Sequence, residues 1–167
     1  MSKFVLTVIL VSVVLLGGLY LVGSRNANNG SDNSSSDTSD ISVGAYELSS
    51  EKMDLGEMKV DEEKTATFNF KNTSTEKMSL GSFETSCNCT MASVKIGTRT
   101  SPMFNMRAHM SAGEAAWKGD LEAGEVATIE LTYKPALMPV YGPIERYATF
   151  KIDNSKEIRL TVAANVK

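Results

Sequence analysis

The feature that most constrains the fold is a repeated two-residue alternation of apolar and polar side chains. Alternating runs occupy residues 65–71, 128–133, 147–152 and 158–164, with weaker runs over 52–60 and 78–83. Successive side chains of a strand point to opposite faces, so each run can bury one face. Turn-forming residues separate the runs, and no segment keeps a 3.6-residue period. About seven such strands predict an all-β fold, an antiparallel immunoglobulin-like β-sandwich.

The N-terminus carries a different signal, a run of 19 uncharged residues from Phe4 to Val22. As a helix this run would be roughly 28 Å long, close to the hydrocarbon thickness of a bilayer. The basic Lys3 before the run favours an orientation that exports the rest of the chain. A poor cleavage site after Val22 favours an uncleaved single-pass anchor over a cleaved signal peptide. Both alternatives place the remaining chain outside the cytoplasm.

A segment rich in Asn, Ser, Gly, Asp and Thr separates the apolar run from the first strand. This composition buries too little apolar surface to offset the entropy of ordering, so we predict a disordered tether. The predicted organisation is a membrane anchor or signal over 1–23, the tether over 24–40 and the β-sandwich over 41–167.

The charge balance of the exported part bears on its partners. Two of the 17 basic residues, Lys3 and Arg25, precede residue 26, whereas all 20 acidic residues follow it. The exported part therefore has 15 basic and 20 acidic residues and a net charge of −5. Binding to nucleic acid requires clustered Lys and Arg against phosphates, and the sequence has no such cluster. We expect no nucleic-acid partner, and the membrane and other envelope proteins remain as candidates.

The sharpest chemical signal is the pair Cys87 and Cys89, the only cysteines of the chain. The segment 103–110 follows closely and contains the only histidine and three of the nine methionines. Thiolate, thioether and imidazole are the ligands that Cu(I) prefers. The sequence therefore predicts a soft-metal site, with Cu(I) as the candidate metal. The predicted ligands are Cys87, Cys89, His109, Met106, Met103, Met110 and Met138.

Other states of these residues remain open. The cysteines could form a disulfide, within the pair or between chains, or remain unreacted thiols. In an extended strand the Cα atoms of residues i and i+2 are nearly 7 Å apart, which is at the limit of disulfide geometry. We therefore expect a bond within the pair to be disfavoured. The alternative for the methionines is core filling, and the alternative for His109 is a hydrogen-bonded loop residue.

The segment from Lys95 to Lys118 interrupts the strand pattern and contains both the Met/His cluster and the single tryptophan, Trp117. Long loops of this kind are usually functional or disordered. A large aromatic ring in a loop indicates that the loop folds back on the sheet. We expect this folding to bring His109 and at least one of the loop methionines close to the cysteines.

Several motifs, taken in order, resemble a known family, the domain of unknown function 1573. They are the strand end Phe68–Asn72, the motif Ser86-Cys87-Asn88-Cys89-Thr90, the turn Ala123-Gly124-Glu125 and the strand end Tyr133-Lys134-Pro135. The chain departs from the family where Asn88 replaces a glycine, and the loop over 95–118 is longer than in the shortest members. The resemblance implies an exported bacterial immunoglobulin-like domain that faces the periplasm or the cell exterior. It implies no activity.

No enzyme signature accompanies these features. The sequence lacks a Gly-rich phosphate loop, a paired-carboxylate pattern and a zinc-ligand repeat, so we expect a protein that is not an enzyme. Two functional classes remain. The first is a membrane-tethered domain that binds Cu(I) outside the cytoplasm, and the second is a cell-envelope interaction or structural module whose cysteines form a disulfide.

Overall fold

The fold is known from a computed structural model that describes residues 41–42 and 44–167. The predicted anchor over 1–23 and the predicted tether over 24–40 lie outside the described residues. Within the described part of the chain, no helix is long and apolar enough to cross a membrane.

Eleven strands and one short α-helix make up the described structure. The strands are β1 (Ile41–Ser42), β2 (Tyr46–Leu48), β3 (Lys52–Met58), β4 (Lys64–Asn72), β5 (Met78–Thr85), β6 (Thr90–Ile96), β7 (Arg99–Thr100), β8 (Lys118–Leu121), β9 (Val126–Tyr133), β10 (Gly142–Ile152) and β11 (Lys156–Val166). The helix α1 spans Ala112–Ala115, and 3-10 turns occupy Arg107–His109 and Pro135–Leu137.

The strands form two packed sheets, so the predicted immunoglobulin-like β-sandwich is confirmed. One sheet has the order β1-β2-β4-β9-β6-β7, and the other has the order β3-β11-β10-β5-β8. Two details differ from the sequence prediction. The strand count exceeds seven because several strands are two to four residues long. The sheets are also not wholly antiparallel, since β3 runs parallel to β11, with Val162 opposite Met53.

The predicted alternation fixes the inner faces of the sheets. In β4 the inward side chains of Ala66, Phe68 and Phe70 are buried, and in β9 Ile129 and Leu131 are fully buried opposite them. A continuous row of aromatic rings crosses the core. It runs from Tyr46 through Phe70, Phe150 and Phe83 to Phe104, with centroid separations of 4.9, 5.6, 5.0 and 4.8 Å.

The segment over 95–118 is more ordered than its sequence indicates. Phe104 forms an isolated β-bridge with Ala92 and is only 1% exposed. The indole of Trp117 contacts the rings of Phe83 and Phe104, with centroid distances of 5.9 and 5.4 Å. It also covers Gly119, where a Cβ would lie 2.5 Å from the indole. The prediction that this loop folds back on the sheet is therefore confirmed.

Candidate functional site

The site is built around the segment Cys87-Asn88-Cys89, which forms a turn between β5 and β6. The two cysteines are joined by a disulfide, and their Cα atoms are 5.2 Å apart. The expectation that geometry disfavours this bond was wrong because it assumed an extended strand. The chain instead bends, with the Thr90 N–H donating to the Cys87 carbonyl at 3.1 Å, and the bend shortens the Cα separation.

The disulfide is buried. Cys89 is fully buried, and Cys87 is 6% exposed. The Thr90 hydroxyl lies 3.2 Å from the Cys87 sulfur and 3.9 Å from the Cys89 sulfur. The Thr85 hydroxyl shares its proton between the carbonyl oxygens of Cys87 and Thr90, at 3.1 and 2.9 Å. The two threonines that flank the pair therefore satisfy the polar groups of a turn that is closed off from solvent.

Two other strands hold this turn through backbone hydrogen bonds. The Ser86 N–H donates to the Tyr147 carbonyl of β10 at 2.9 Å, and the Tyr147 N–H donates to the Ser86 hydroxyl at 3.0 Å. The Lys134 N–H, at the end of β9, donates to the Cys89 carbonyl at 2.8 Å. The turn thus connects the two sheets at one end of the sandwich.

The Met/His loop reaches the same turn through Asn105. The Asn105 carbonyl accepts a hydrogen bond from the Thr85 N–H at 3.2 Å, and its side-chain amide lies 3.5 Å from the Asn88 carbonyl, between the two cysteines. The sequence analysis did not single out Asn105. Its only sequence signal was its residue type, since Asn side chains in loops commonly hydrogen-bond to nearby backbone groups.

The other predicted ligands differ in how much of each side chain is exposed to solvent. Met103 is 53% exposed, His109 is exposed, and Met106 and Met110 are half-buried, with Met110 packed against the core. Met138 is 46% exposed and lies in the separate loop between β9 and β10. In the described part of the chain, no group of three or more His, Cys, Asp or Glu residues is arranged to hold a metal ion. The structure does not test the methionine ligands, so this ligand set stays a prediction.

An exposed apolar segment begins at Ala136, two residues after Lys134, whose N–H is bonded to the cysteine turn. Residues 136–141, which we call the apolar loop, are all exposed and uncharged. Leu137, Met138, Val140 and Tyr141 are 52%, 46%, 40% and 67% exposed. Singly exposed apolar residues are common, but four within five positions are typical of an interaction surface.

Two buried polar atoms near the same end, the Tyr133 hydroxyl oxygen and the Arg146 Nε, have no hydrogen-bond partner among the described residues. The phenol of Tyr133 is fully buried. Arg146 occupies an inward position of β10, and its Nη1 donates to the Glu145 carbonyl at 2.9 Å. Burial raises the pKa of Tyr133, while the charge of Arg146 acts in the opposite direction. The sequence placed Tyr133 in a strand-end motif without indicating an unpaired hydroxyl, and it did not single out Arg146.

The fold and the turn together define an immunoglobulin-like β-sandwich with a small buried disulfide ring at one end. Residues 46–102, which contain the cysteine turn, match the sequence profile of the family described as protein of unknown function (DUF1573). The resemblance drawn from the sequence motifs is therefore confirmed over that segment. No curated protein matches the chain.

Solved structures with similar folds are distant in sequence. One is a protein of unknown function from Porphyromonas gingivalis W83, with 17% identity and a TM-score of 0.51. The match covers 72% of this chain and 46% of that one, so the chain spans about half the length of this neighbour. Another is PapD-like domain 7 of human CEP192, with 12% identity, a TM-score of 0.48, and coverage of 86% and 96%. At these identities the likeness concerns the fold alone.

Proposed function

We propose that this protein is an extracytoplasmic protein-interaction domain, held at a bacterial cell membrane by its N-terminal segment and without enzymatic activity. The observation that carries the proposal is the buried Cys87–Cys89 disulfide. Disulfides persist in oxidising compartments and are rare in the cytosol. The uncharged run from Phe4 to Val22 supports the same location.

The apolar loop is the surface proposed for binding. It lies close to the cysteine turn along the chain, because the Lys134 N–H, two residues before the loop, is bonded to the Cys89 carbonyl. Pro135, directly before the loop, and Pro139, within it, restrict the backbone, which lowers the entropy lost when a partner binds. Its chemistry fits another envelope protein that presents a complementary apolar surface, with Tyr141 as a large anchoring side chain.

The redox part of the proposal is tested on the full chain in cells. Thiols are trapped with an alkylating reagent under denaturing conditions, before and after reduction, and the mass of the protein is measured. We expect alkylation at Cys87 and Cys89 only after reduction. Alkylation of both residues without reduction would contradict a disulfide-containing extracytoplasmic domain.

The interaction part is tested with a photo-cross-linking amino acid at Tyr141, again in the full chain. The matched control carries the same group at Glu157, an exposed residue of β11. We expect a discrete protein adduct from position 141, lost when Leu137→Ser and Met138→Ser are added, and none from position 157. Identical adducts from both positions, or none from position 141, would argue against the apolar loop as the binding surface.

Cu(I) binding is the second candidate, and the contact between Asn105 and Asn88 favours it because it brings the Met/His loop to the cysteine turn. Sulfur atoms bonded to each other are not thiolates, so only the reduced chain offers the predicted ligands. A competition titration with a Cu(I) chelator separates the two functions. The copper function would be supported if the reduced chain binds Cu(I), if His109→Ala weakens this binding, and if the double variant Cys87→Ala with Cys89→Ala abolishes it. Equal binding by the reduced chain and the double variant would exclude it.

A further inference from the structure

The disulfide ring between Cys87 and Cys89 is small. The two cysteines are two residues apart in sequence, and both belong to one turn rather than to separate strands. A disulfide stabilises a protein mainly by restricting the unfolded chain, and this effect decreases as the closed loop becomes shorter. The bond therefore contributes less to stability than a disulfide that joins distant segments.

The turn is held by hydrogen bonds that do not involve sulfur. The Cys87 carbonyl accepts from the Thr90 N–H and from the Thr85 hydroxyl, both at 3.1 Å. The Cys89 carbonyl accepts from the Lys134 N–H at 2.8 Å. Because these bonds end on backbone atoms of the cysteines, none of them is broken when the two sulfurs separate. The same turn can therefore hold a pair of thiols in the folded protein.

The two cysteines differ in their access to solvent. Cys87 is 6% exposed, and its neighbours Ser86 and Asn88 are half-buried. Cys89 is fully buried and is followed by the fully buried Thr90. An incoming thiolate must reach the sulfur that it attacks, and the other sulfur then leaves as a thiolate. The difference in burial makes Cys87 the attacked sulfur and Cys89 the leaving group.

The hydroxyl of Thr90 lies against both sulfurs. Its oxygen is 3.2 Å from Sγ of Cys87 and 3.9 Å from Sγ of Cys89, and these are its only hydrogen-bond partners among the described residues. A disulfide sulfur carries no proton, so the hydroxyl is the donor. A neutral sulfur is a weak acceptor, whereas a bond to an anion such as a thiolate is charge-assisted and stronger. The hydroxyl therefore stabilises a cysteine thiolate more than it stabilises the disulfide.

We infer that Cys87 and Cys89 form a thiol–disulfide exchange site that reacts with a dithiol of a partner protein. A thiolate of the partner attacks Sγ of Cys87, the bond between the two cysteine sulfurs breaks, and Cys89 leaves as a thiolate that accepts from the Thr90 hydroxyl. The partner's second thiolate then attacks the partner sulfur of this mixed disulfide and releases Cys87. Two electrons and two protons pass in total from the dithiol to the cysteines, and the partner becomes a disulfide.

This activity goes beyond the proposed function, in which the disulfide only indicates the compartment. The first test uses the oxidised full chain in detergent micelles, with dithiothreitol as the dithiol. Samples are quenched with an excess of N-ethylmaleimide, and the mass of the protein is measured over time. We expect a reduction rate proportional to the dithiothreitol concentration, with the Trp117 fluorescence of the folded protein retained. A rate independent of that concentration, or no reduction of the folded chain, would overturn the inference.

Single-cysteine variants test which sulfur bonds to the partner. Cys89→Ala leaves Cys87 as the only thiol, and Cys87→Ala leaves Cys89. Both variants are treated with oxidised glutathione, and the mass of the mixed disulfide is measured over time. Because only Cys87 reaches the surface, Cys89→Ala should react about tenfold faster or more. Equal rates, or a faster reaction of Cys87→Ala, would overturn the assignment of Cys87 as the attacked sulfur.

Variants of the two threonines test the stabilisation of the thiolates. Thr90→Val removes the hydroxyl without leaving another group unpaired and should slow reduction by dithiothreitol about tenfold, whereas Thr90→Ser should restore the rate. Thr85→Val is the matched control, because the Thr85 hydroxyl donates only to carbonyls of the turn. Equal slowing by Thr85→Val and Thr90→Val would overturn the role of Thr90. Neither the alkylation pattern in untreated cells nor cross-linking at Tyr141 depends on this reactivity, so its failure is distinguishable from failure of the proposed function.

Discussion

The N–H of Lys134 donates a 2.8 Å hydrogen bond to the carbonyl of Cys89, so the apolar loop starts two residues after a contact with the disulfide turn. Lys134 follows the last residue of β9, and Cys89 precedes the first residue of β6. The bond therefore extends the pairing of these strands by one step and aligns the loop with the turn. Through it, the strand end that leads into the apolar loop is bonded directly to the backbone of Cys89.

The first prediction concerns the stability provided by the disulfide. Cys87→Ala with Cys89→Ala should lower the free energy of unfolding by about 1.5–2 kcal/mol, because a ring of so few residues restricts the unfolded chain only slightly. Urea denaturation of the oxidised protein, the reduced protein and the double variant measures this difference. A loss above about 4 kcal/mol would show that the sulfurs are needed for core packing as well.

The second prediction concerns the contact between Gly119 and Trp117. A Cβ at Gly119 would lie 2.5 Å from the indole and 2.7 Å from Ile96 Cδ1, so Gly119→Ala should destabilise the fold by about 1–3 kcal/mol. Gly113, in α1, is the matched control because a Cβ there meets nothing within 4 Å. Gly113→Ala should be neutral or stabilising by up to about 1 kcal/mol. Equal effects of the two substitutions in thermal denaturation would contradict the close packing of Trp117.

The third prediction tests how the long loop is held. Phe104 is 1% exposed between Phe83 and Trp117, and Phe104→Ala should lower the free energy of unfolding by about 3–5 kcal/mol. Met103→Ala, next to it and 53% exposed, should change it by less than about 0.5 kcal/mol. The fluorescence of Trp117 reports on the loop directly. An unchanged emission maximum in folded Phe104→Ala would mean that the loop is held by other contacts.

The fourth prediction follows from the buried phenol of Tyr133, whose pKa is raised chiefly by burial. Its contribution to stability is fully present below the unfolded pKa of about 10 and is lost as the pH rises above that value through the folded pKa. Tyr133→Phe should remove this decline. At pH 7 it should be neutral or stabilising, because the hydroxyl has no partner among the described residues. Urea titrations at neutral and alkaline pH, with the exposed Tyr141→Phe as control, measure both effects. A large loss at neutral pH would show that the hydroxyl is hydrogen-bonded.

The candidate site was predicted only in part. The sequence identified Cys87 and Cys89 as the chemical centre and the loop over 95–118 as a segment that returns to them. It did not predict the disulfide, because a turn and a strand place residues i and i+2 at different separations. It also missed β6 and β8. The first is interrupted by small and polar residues, and the second is only four residues long.

The sequence by itself determined which faces of the long strands are buried, since the two-residue alternation is a local property of the chain. It also determined that the cysteines and the Met/His loop lie in neighbouring connections. Only the tertiary structure decided which connections meet. The Asn105 carbonyl accepts from the Thr85 N–H, and the Lys64 ammonium donates to the Leu55 carbonyl, because of how the two sheets pack. Contacts of this kind depend on register and sheet packing between distant segments, which no local pattern of residues encodes.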